Sequence, residues 1–289
     1  MTRIAFSTVA TPNLVLPVVA QLAAGWGFHG LELRTFGSGS RDFACDPALT
    51  DPAKTRDLLA AAGLHAACLA TGVAFDEPIR PPVIGRIKDT EASIRRAKEA
   101  IDLAATLACP YVRVFGFQIG GENRQRARTR IARRLALAAD AARNSGVKLV
   151  VENGGSFRTS ADLLDLIGLA GSPLVGASYS LAVAQQAGED AVAGAEALHA
   201  AGRLWVLKLK DRHEDGHPCL IGDGVVPCAQ AVAALARAGY SHWATVEWDR
   251  AWIETLAPAD HILPDAAARL IRWIGQPAAL IPSIQPALV

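Results

Sequence analysis

Three ionisable residues lie inside apolar runs of this sequence: Glu152, Lys208 and Glu247. The runs have the β-branched and aliphatic composition of strands, in which side chains alternate between the two faces. Two carboxylates and an ammonium in apolar strands are costly unless they pair or take part in chemistry. A carboxylate can accept or return a proton, and an ammonium can act as an electrophile that stabilises negative charge. Glu152, Lys208 and Glu247 are therefore the candidate catalytic residues.

Other polar residues near the ends of apolar runs are candidate substrate contacts. The forked donors of Arg34 and Arg113 suit a phosphate or a carboxylate, and Lys210 is a second candidate electrophile. A structural interpretation is equally open, because either arginine can pair with Glu32 or with a helix carboxylate. The candidate substrate-binding residues are Glu32, Arg34, Arg113, Lys210, His213 and Trp248. The last two have structural interpretations of their own, as a solvated loop histidine and a packed tryptophan.

The elements that must position these residues follow a regular alternation of short β-branched runs and longer segments of helical period. The predicted strands cover residues 3–8, 30–34, 64–70, 111–115, 148–153, 174–179, 204–209 and 243–248. The predicted helices cover residues 14–24, 54–62, 84–107, 125–144, 161–170, 183–201, 227–238 and 259–273. Several helices are followed at once by glycine, the residue that favours the left-handed conformation at a helix end.

Eight strand–helix pairs without a break in composition predict a single α/β domain, a closed (β/α)8 TIM barrel. We place the barrel at residues 1–275 and a C-terminal extension at 276–289. A TIM barrel carries its reactive groups at the carboxyl ends of its strands. Glu152, Lys208 and Glu247 are therefore expected to face one mouth of the barrel.

Composition restricts the partners. The 289 residues are 51% hydrophobic and 20% charged with a formal net charge of +1, which excludes a disordered chain and gives no basic bias toward nucleic acid. Five cysteines without C-x-x-C spacing indicate a reducing compartment, and no stretch has the pattern of a leader or a membrane span. We predict a cytoplasmic protein with a small-molecule partner and neither nucleic-acid nor membrane partners; a homo-oligomer is compatible with the sequence.

Five segments in sequence order resemble the sugar phosphate isomerase/epimerase family, the xylose isomerase-like TIM barrels. They are GFHGLEL at 27–33, VEN at 151–153, LKLKD at 207–211, IGDG at 221–224 and AGYSHWATVE at 238–247. The resemblance covers nearly the whole chain and implies a TIM barrel that isomerises an aldose or epimerises a keto sugar through an enediolate. In that reaction Glu152 and Glu247 are expected to be the acid and base, and Lys208 the electrophile. The implied substrate is a small sugar, a sugar phosphate, or a hydroxy or keto acid.

The resemblance also implies a divalent metal such as manganese, held by four side chains on strands five to eight. Glu152 and Glu247 match two of these ligands. The other two positions have changed: Ser180 stands at that of the family's aspartate and Lys208 at that of the strand-seven histidine. Val183 stands where a further histidine usually follows the aspartate. Because half of the ligand set is missing, we expect no cofactor, although Glu152 and Glu247 would be the ligands if a metal did bind.

Formal charge explains how the site could work without the metal. Three carboxylates and a neutral imidazole around a dication sum to about −1, as do two carboxylates and one ammonium. We therefore predict that the Lys208 ammonium replaces the cation and bridges Glu152 and Glu247. Opposite charges about 4 Å apart attract by roughly 4 kcal/mol at an effective dielectric constant of about 20.

Two functions remain open at the level of sequence. The first is an isomerase or epimerase with a degenerate metal site, acting by proton transfer next to a carbonyl. The second is a non-catalytic barrel that has kept the pocket and binds a carbohydrate or metabolite. A DNA-repair endonuclease on the same fold is a poor match, because its metal ligands and a basic surface are both missing.

Overall fold

Eight parallel strands close into a barrel in a computed structural model, which describes residues 1–35, 51–77, 92–121 and 123–275. The barrel strands are β1 (Arg3–Ser7), β2 (Gly30–Arg34), β3 (His65–Ala74), β4 (Tyr111–Phe115), β5 (Lys148–Glu152), β6 (Val175–Ser180), β7 (Leu204–Leu209) and β10 (Trp243–Val246). Their order around the barrel is β1-β10-β7-β6-β5-β4-β3-β2. Two short antiparallel strands, β8 (Asp211–Arg212) and β9 (Pro218–Cys219), form a separate hairpin after β7. The predicted TIM barrel is confirmed.

The described helices are α1 (Leu16–Gly25), α2 (Pro52–Ala61), α3 (Ala92–Thr106), α4 (Arg124–Ala141), α5 (Ser160–Ala170), α6 (Leu181–Gln186), α7 (Ala191–Ala200), α8 (Cys228–Arg237) and α9 (Leu263–Ile274). Helical turns of the 3-10 type occupy Thr8–Ala10 and Ala259–His261. The start of the helix predicted at 84–107 and the predicted extension at 276–289 lie outside the described residues. Within the described ranges, no helix has both the length and the apolar character needed to cross a membrane.

One predicted helix is wrong. The segment 183–201 forms two helices, α6 and α7, instead of one. Gly188 between them has a φ of +83°, a conformation that ends a helix, and the Asp190 side chain accepts hydrogen bonds from the Val192 and Ala193 amides to begin the next. The predicted glycine exits are correct: Gly63 and Gly239, for example, have φ values of +72° and +81°.

Aromatic side chains fill the lower part of the barrel interior. Trp205, Trp243 and Tyr111 belong to one buried cluster with small neighbours such as Val150. Gly176 makes room for the Trp205 indole, since a Cβ at residue 176 would lie 2.4 Å from its ring atoms. This aromatic layer fills the barrel near the amino ends of the strands. The buried charged residues Glu32, Arg113 and Lys208 lie nearer the carboxyl ends.

Candidate functional site

Five charged residues of alternating sign form a chain of ion pairs at the carboxyl ends of β2, β7 and β10. Lys208 Nζ lies 2.5 Å from Glu32 Oε1 and 2.7 Å from Glu247 Oε2. Lys210 Nζ lies 3.0 Å from Glu247 Oε1 and 3.1 Å from Asp249 Oδ2. Glu247 therefore receives one ammonium on each carboxylate oxygen. The strand register explains this contact, because Thr245 pairs with Lys208 and alternation then points residues 208, 210, 247 and 249 to the same side.

A second ion pair lies beside this chain. Arg113 Nη1 donates to Glu152 Oε2 at 3.2 Å, and the Ser178 hydroxyl donates to the same oxygen at 3.3 Å. Arg113 Nη2 also donates to the Thr71 carbonyl at 2.8 Å. The Arg113 side chain is 4% exposed, so this arginine is held below the mouth and is committed to the fold.

The prediction that Lys208 bridges Glu152 and Glu247 is therefore wrong for one of the two carboxylates. Lys208 does contact Glu247, but its second carboxylate is Glu32 from β2. Glu152 is satisfied by Arg113 from one neighbouring strand and by Ser178 from the other, and β6 separates its strand from that of Lys208. Residue 113 was predicted to hold a substrate anion and residue 32 to touch substrate, yet both are buried inside ion pairs of the barrel.

Electrostatics fix the charges of the chain at neutral pH. Burial alone would lower the pKa of Lys208, but the charges of Glu247 and Glu32 outweigh it and raise that pKa above its usual value. Burial favours the neutral form of Glu247, yet Lys208 and Lys210 hold its pKa well below the usual range. The charge of Glu247 is the main cause that raises the pKa of Lys210. Both lysines are thus ammonium ions and Glu247 is a carboxylate.

Asp249 differs from Glu247. Burial, followed by the charge of Glu247, raises the pKa of Asp249 above its usual value of 3.8, against the opposing effect of Lys210. A carboxylate with a raised pKa is a better proton acceptor than one with a lowered pKa. Asp249 is therefore the more basic of the two carboxylates on Lys210. It was not among the predicted site residues.

A cavity of about 300 Å³ opens beside these groups. Its walls come from the ends of β7 and β10, from α6 and from the β8–β9 hairpin, and include Val183, Gln186, Lys210, Arg212, Glu247, Trp248 and Asp249. Among the residues that the structure describes, Lys210 donates to Glu247 and Asp249, which leaves the third of its N–H donors for a ligand. Arg212 is a wall residue whose fork suits a phosphate or carboxylate. It was not among the predicted contacts, because it lies on the β8–β9 hairpin, which the strand pattern did not predict.

The other predicted contacts are dispersed. Trp248 lines the cavity, and its indole Nε1 donates to the Ala257 carbonyl at 2.9 Å, which fixes the ring. His213 is exposed on the β8–β9 hairpin and is not among the residues that line the cavity. Arg34 ends β2, where its backbone amide donates to the Thr8 hydroxyl at 3.0 Å. Of the nine predicted residues, the described cavity brings together Lys210, Glu247 and Trp248.

Asp211 borders the cavity and holds the adjoining loop in place. Its carboxylate accepts hydrogen bonds from the backbone amides of Arg212, Gly222, Gly224 and Val226, at 2.8–3.1 Å. A Cβ at Gly224 would lie 2.1 Å from the Arg212 carbonyl oxygen, so the IGDG segment must pass close to the hairpin. Asp211 is thus the anchor that holds the 221–226 loop against the cavity.

The residues present do not fit a divalent metal of the kind that the family resemblance implies. Among the described residues, no group of three or more His, Cys, Asp and Glu side chains is arranged to hold one. The Lys208 ammonium lies against Glu247, and Val183 has no donor atom. The Ser180 backbone amide donates to Asn153 Oδ1 at 2.6 Å, which holds Ser180 to β5. A dication next to the Lys208 ammonium would also be repelled.

Comparison with known proteins gives the family. The model of the xylose isomerase-like TIM barrel family matches residues 20–276, and the chain belongs to this family. Similar solved structures include L-ribulose 3-epimerase (18% identity, TM-score 0.75, 95% of each chain covered) and the IOLI protein with a binding zinc atom (16%, 0.76, 95% of this chain and 98% of that one).

The probable 3-DHS dehydratase AsbF of petrobactin synthesis from Bacillus anthracis is similar as well, at 16% identity and a TM-score of 0.74 over 93% of this chain and 98% of that one. At these identities the likeness concerns the fold. No curated protein matches the chain.

Proposed function

We propose that this chain is an isomerase of small hydroxy-carbonyl compounds, such as sugars, that moves a proton next to a carbonyl without a divalent metal. The observation that carries the proposal is the position of Lys210, which borders the cavity between two carboxylates and has one N–H donor left. An ammonium with a spare donor can bind the substrate carbonyl oxygen and stabilise the negative charge that grows on it. Lys210 thus replaces Lys208 as the candidate electrophile.

Asp249 is the proposed base. Its carboxylate removes a proton from the carbon next to the carbonyl, and the electron pair moves into the carbonyl to form an enediolate. Asp249 then returns the proton to the former carbonyl carbon, while the hydroxyl proton on the neighbouring oxygen moves to the former carbonyl oxygen, which completes the isomerisation. Asp249 and Glu247 both contact the same ammonium, and we place both carboxylates on the side of the substrate where Lys210 lies. Epimerisation needs a second acid on the opposite face of the carbon, so this arrangement favours a 1,2-proton shift over an epimerisation.

The remaining residues are assigned supporting roles. Lys208 is a positioning residue, because its side chain is 2% exposed and contacts Glu32 and Glu247 rather than the cavity. Glu247 holds Lys210 in place from the strand side. A phosphate or carboxylate on the substrate would bind Arg212, because Arg113 is committed to Glu152 below the mouth.

Deuterium exchange tests this function. The protein is treated with a chelator and incubated in D2O with a panel of aldoses, ketoses, their phosphates and hydroxy-keto acids, and the C–H signals are followed by NMR. We expect exchange at the carbon next to the carbonyl of at least one compound, no loss after chelation, and a loss of about 100-fold or more in Asp249→Asn. Activity that returns only when manganese is added would contradict the metal-free proposal.

A second candidate function rests on the ion-pair chain itself. Glu247 is held ionised between two ammonium ions, which makes it a weak base and a rigid binding group. The protein would then be a barrel that binds a metabolite without catalysing a reaction. Binding of a panel compound by calorimetry, with no exchange of its C–H protons over days, would establish this function in place of catalysis.

A further inference from the structure

A second cavity, of about 280 Å³, lies outside the site described above. It is bordered by the loop after β1, by α1 and by the segment 250–260. Within the described ranges, the walls of the two cavities share no residue. Consecutive residues of the loop after β10 separate the two: Asp249 borders the first cavity and Arg250 the second. Their volumes are similar and near the lower end of the range for small-molecule sites.

The walls of this second cavity combine one cation, one anion and an apolar surface. Arg250 and Asp260 contribute the charges and Asn13 an amide, while Leu14, Leu22 and Trp26 contribute half-buried apolar side chains. The Trp26 ring packs on Phe6 with centroids 6.0 Å apart, so the apolar wall is fixed to the barrel.

Arg250 is the unexplained residue of this wall. Its Nε is buried and has no hydrogen-bond partner among the described residues, and no ion pair within those ranges includes it. A buried donor without a partner costs free energy, and native structures rarely contain one without a reason. The planar guanidinium is the protein group best suited to a carboxylate.

We propose that this cavity binds a small zwitterion with an apolar substituent, the chemistry of a hydrophobic α-amino acid. The carboxylate pairs with Arg250, the ammonium with Asp260, and the apolar side chain lies on Trp26 and the two leucines. A simple anion fits less well, because Asp260 would repel it, and a simple cation fits less well because of Arg250. Arg250 and Asp260 each gain an opposite charge from the ligand only when the ligand carries both a carboxylate and an ammonium.

Calorimetry and saturation-transfer NMR on the full chain test the proposal with three probes. L-phenylalanine carries both charges, phenylacetate only the carboxylate, and 2-phenylethylamine only the ammonium. We expect L-phenylalanine to bind at least about tenfold more tightly than either analogue. Arg250→Gln and Asp260→Asn should each weaken its binding by about tenfold. The matched control Arg143→Gln, which alters an arginine 73% exposed in the turn after α4, should bind normally.

Each other result overturns the proposal. Equal binding of L-phenylalanine and phenylacetate would show that the ligand's ammonium is not recognised. Normal binding of L-phenylalanine by Arg250→Gln would show that Arg250 does not bind the carboxylate. Loss of binding in Lys210→Met but not in Arg250→Gln would place the ligand in the first cavity. Absence of binding of both L-phenylalanine and L-leucine up to about 10 mM would also overturn it. A thermal melt of each variant shows that it is folded.

Discussion

Lys208 on β7 and Glu32 on β2 are 176 residues apart in sequence, yet their Nζ and Oε1 atoms lie 2.5 Å apart across the barrel. Their side chains are 2% and 1% exposed, so neither charge is hydrated. The second carboxylate on Lys208, that of Glu247, completes an arrangement in which one buried ammonium joins β2, β7 and β10. Removal of one member leaves an uncompensated buried charge, which costs far more than loss of a surface pair.

Replacement of Lys208 tests this link. Lys208→Met keeps a long unbranched side chain but removes the ammonium. Glu32 and Glu247 are then left without their shared cation. We expect a loss of about 3–5 kcal/mol in the free energy of unfolding and a fall in Tm of roughly 10 °C. Lys54→Met is the matched control, because the Lys54 side chain is 87% exposed and its pairing with Asp51 is at the surface. An unchanged Tm in Lys208→Met would contradict the buried bridge.

A double-mutant cycle identifies the partner of Lys208. Lys208→Met combined with Glu32→Gln should show a coupling energy of about 1–3 kcal/mol, since the two side chains are in direct contact. The cycle with Glu152→Gln should give a smaller coupling, because Glu152 pairs with Arg113. The reverse order of the two couplings would restore the bridge that the sequence alone suggested. Chemical unfolding of the six proteins supplies both cycles.

The pH dependence of stability follows from the two pKa shifts. Glu247 has a lowered pKa, so its stabilisation is present above its ordinary value of 4.5 and is lost as pH falls through the folded-state value. Lys208 has a raised pKa, so its stabilisation is present below its ordinary value of 10.5 and is lost as pH rises through the folded-state value. Melting curves should therefore show a contribution that is constant between these two limits. Glu247→Gln should flatten the acid limb, and a variant with the wild-type acid limb would refute its ion pairing.

The fold and the types of residue at the mouth of the barrel could be predicted from the sequence. Which carboxylate pairs with Lys208 could not. Alternation along each strand is local, which is why inward positions such as 208 and 247 could be recognised. Which carboxylate meets Lys208 depends on how far β2 is displaced along the barrel axis relative to β7, and that displacement is set by the whole closed sheet. Arg212 lies on the short strand β8, whose position at the cavity depends on the tertiary fold. The contact of Asp249 with Lys210 likewise depends on how the end of β10 lies against that of β7.

Packing at Gly176 gives a prediction for the lower barrel. Gly176→Ala places a Cβ about where the Trp205 ring already lies, and the ring cannot easily move because it stacks on Tyr111 at a centroid distance of 5.9 Å. We expect a loss of about 1–3 kcal/mol, as for other overpacked cores. Gly72→Ala is the control, since a Cβ there meets no atom within 4 Å. Similar thermal stability of the two variants would show that the packing around Trp205 can shift to accommodate the added Cβ.

Asp211 should control the loop that supports the cavity. Asp211→Asn keeps the size of the side chain but replaces one acceptor oxygen by an amide that donates, so at least one of the four backbone amides loses its partner. We expect the amides of Gly222, Gly224 and Val226 to exchange their hydrogens faster, with a loss of about 1–3 kcal/mol in stability. Asp223→Asn is the control, because Asp223 lies on the same loop but pairs outward with Arg269. If hydrogen exchange in the loop is equal in the two variants, the loop is held by contacts other than the Asp211 carboxylate.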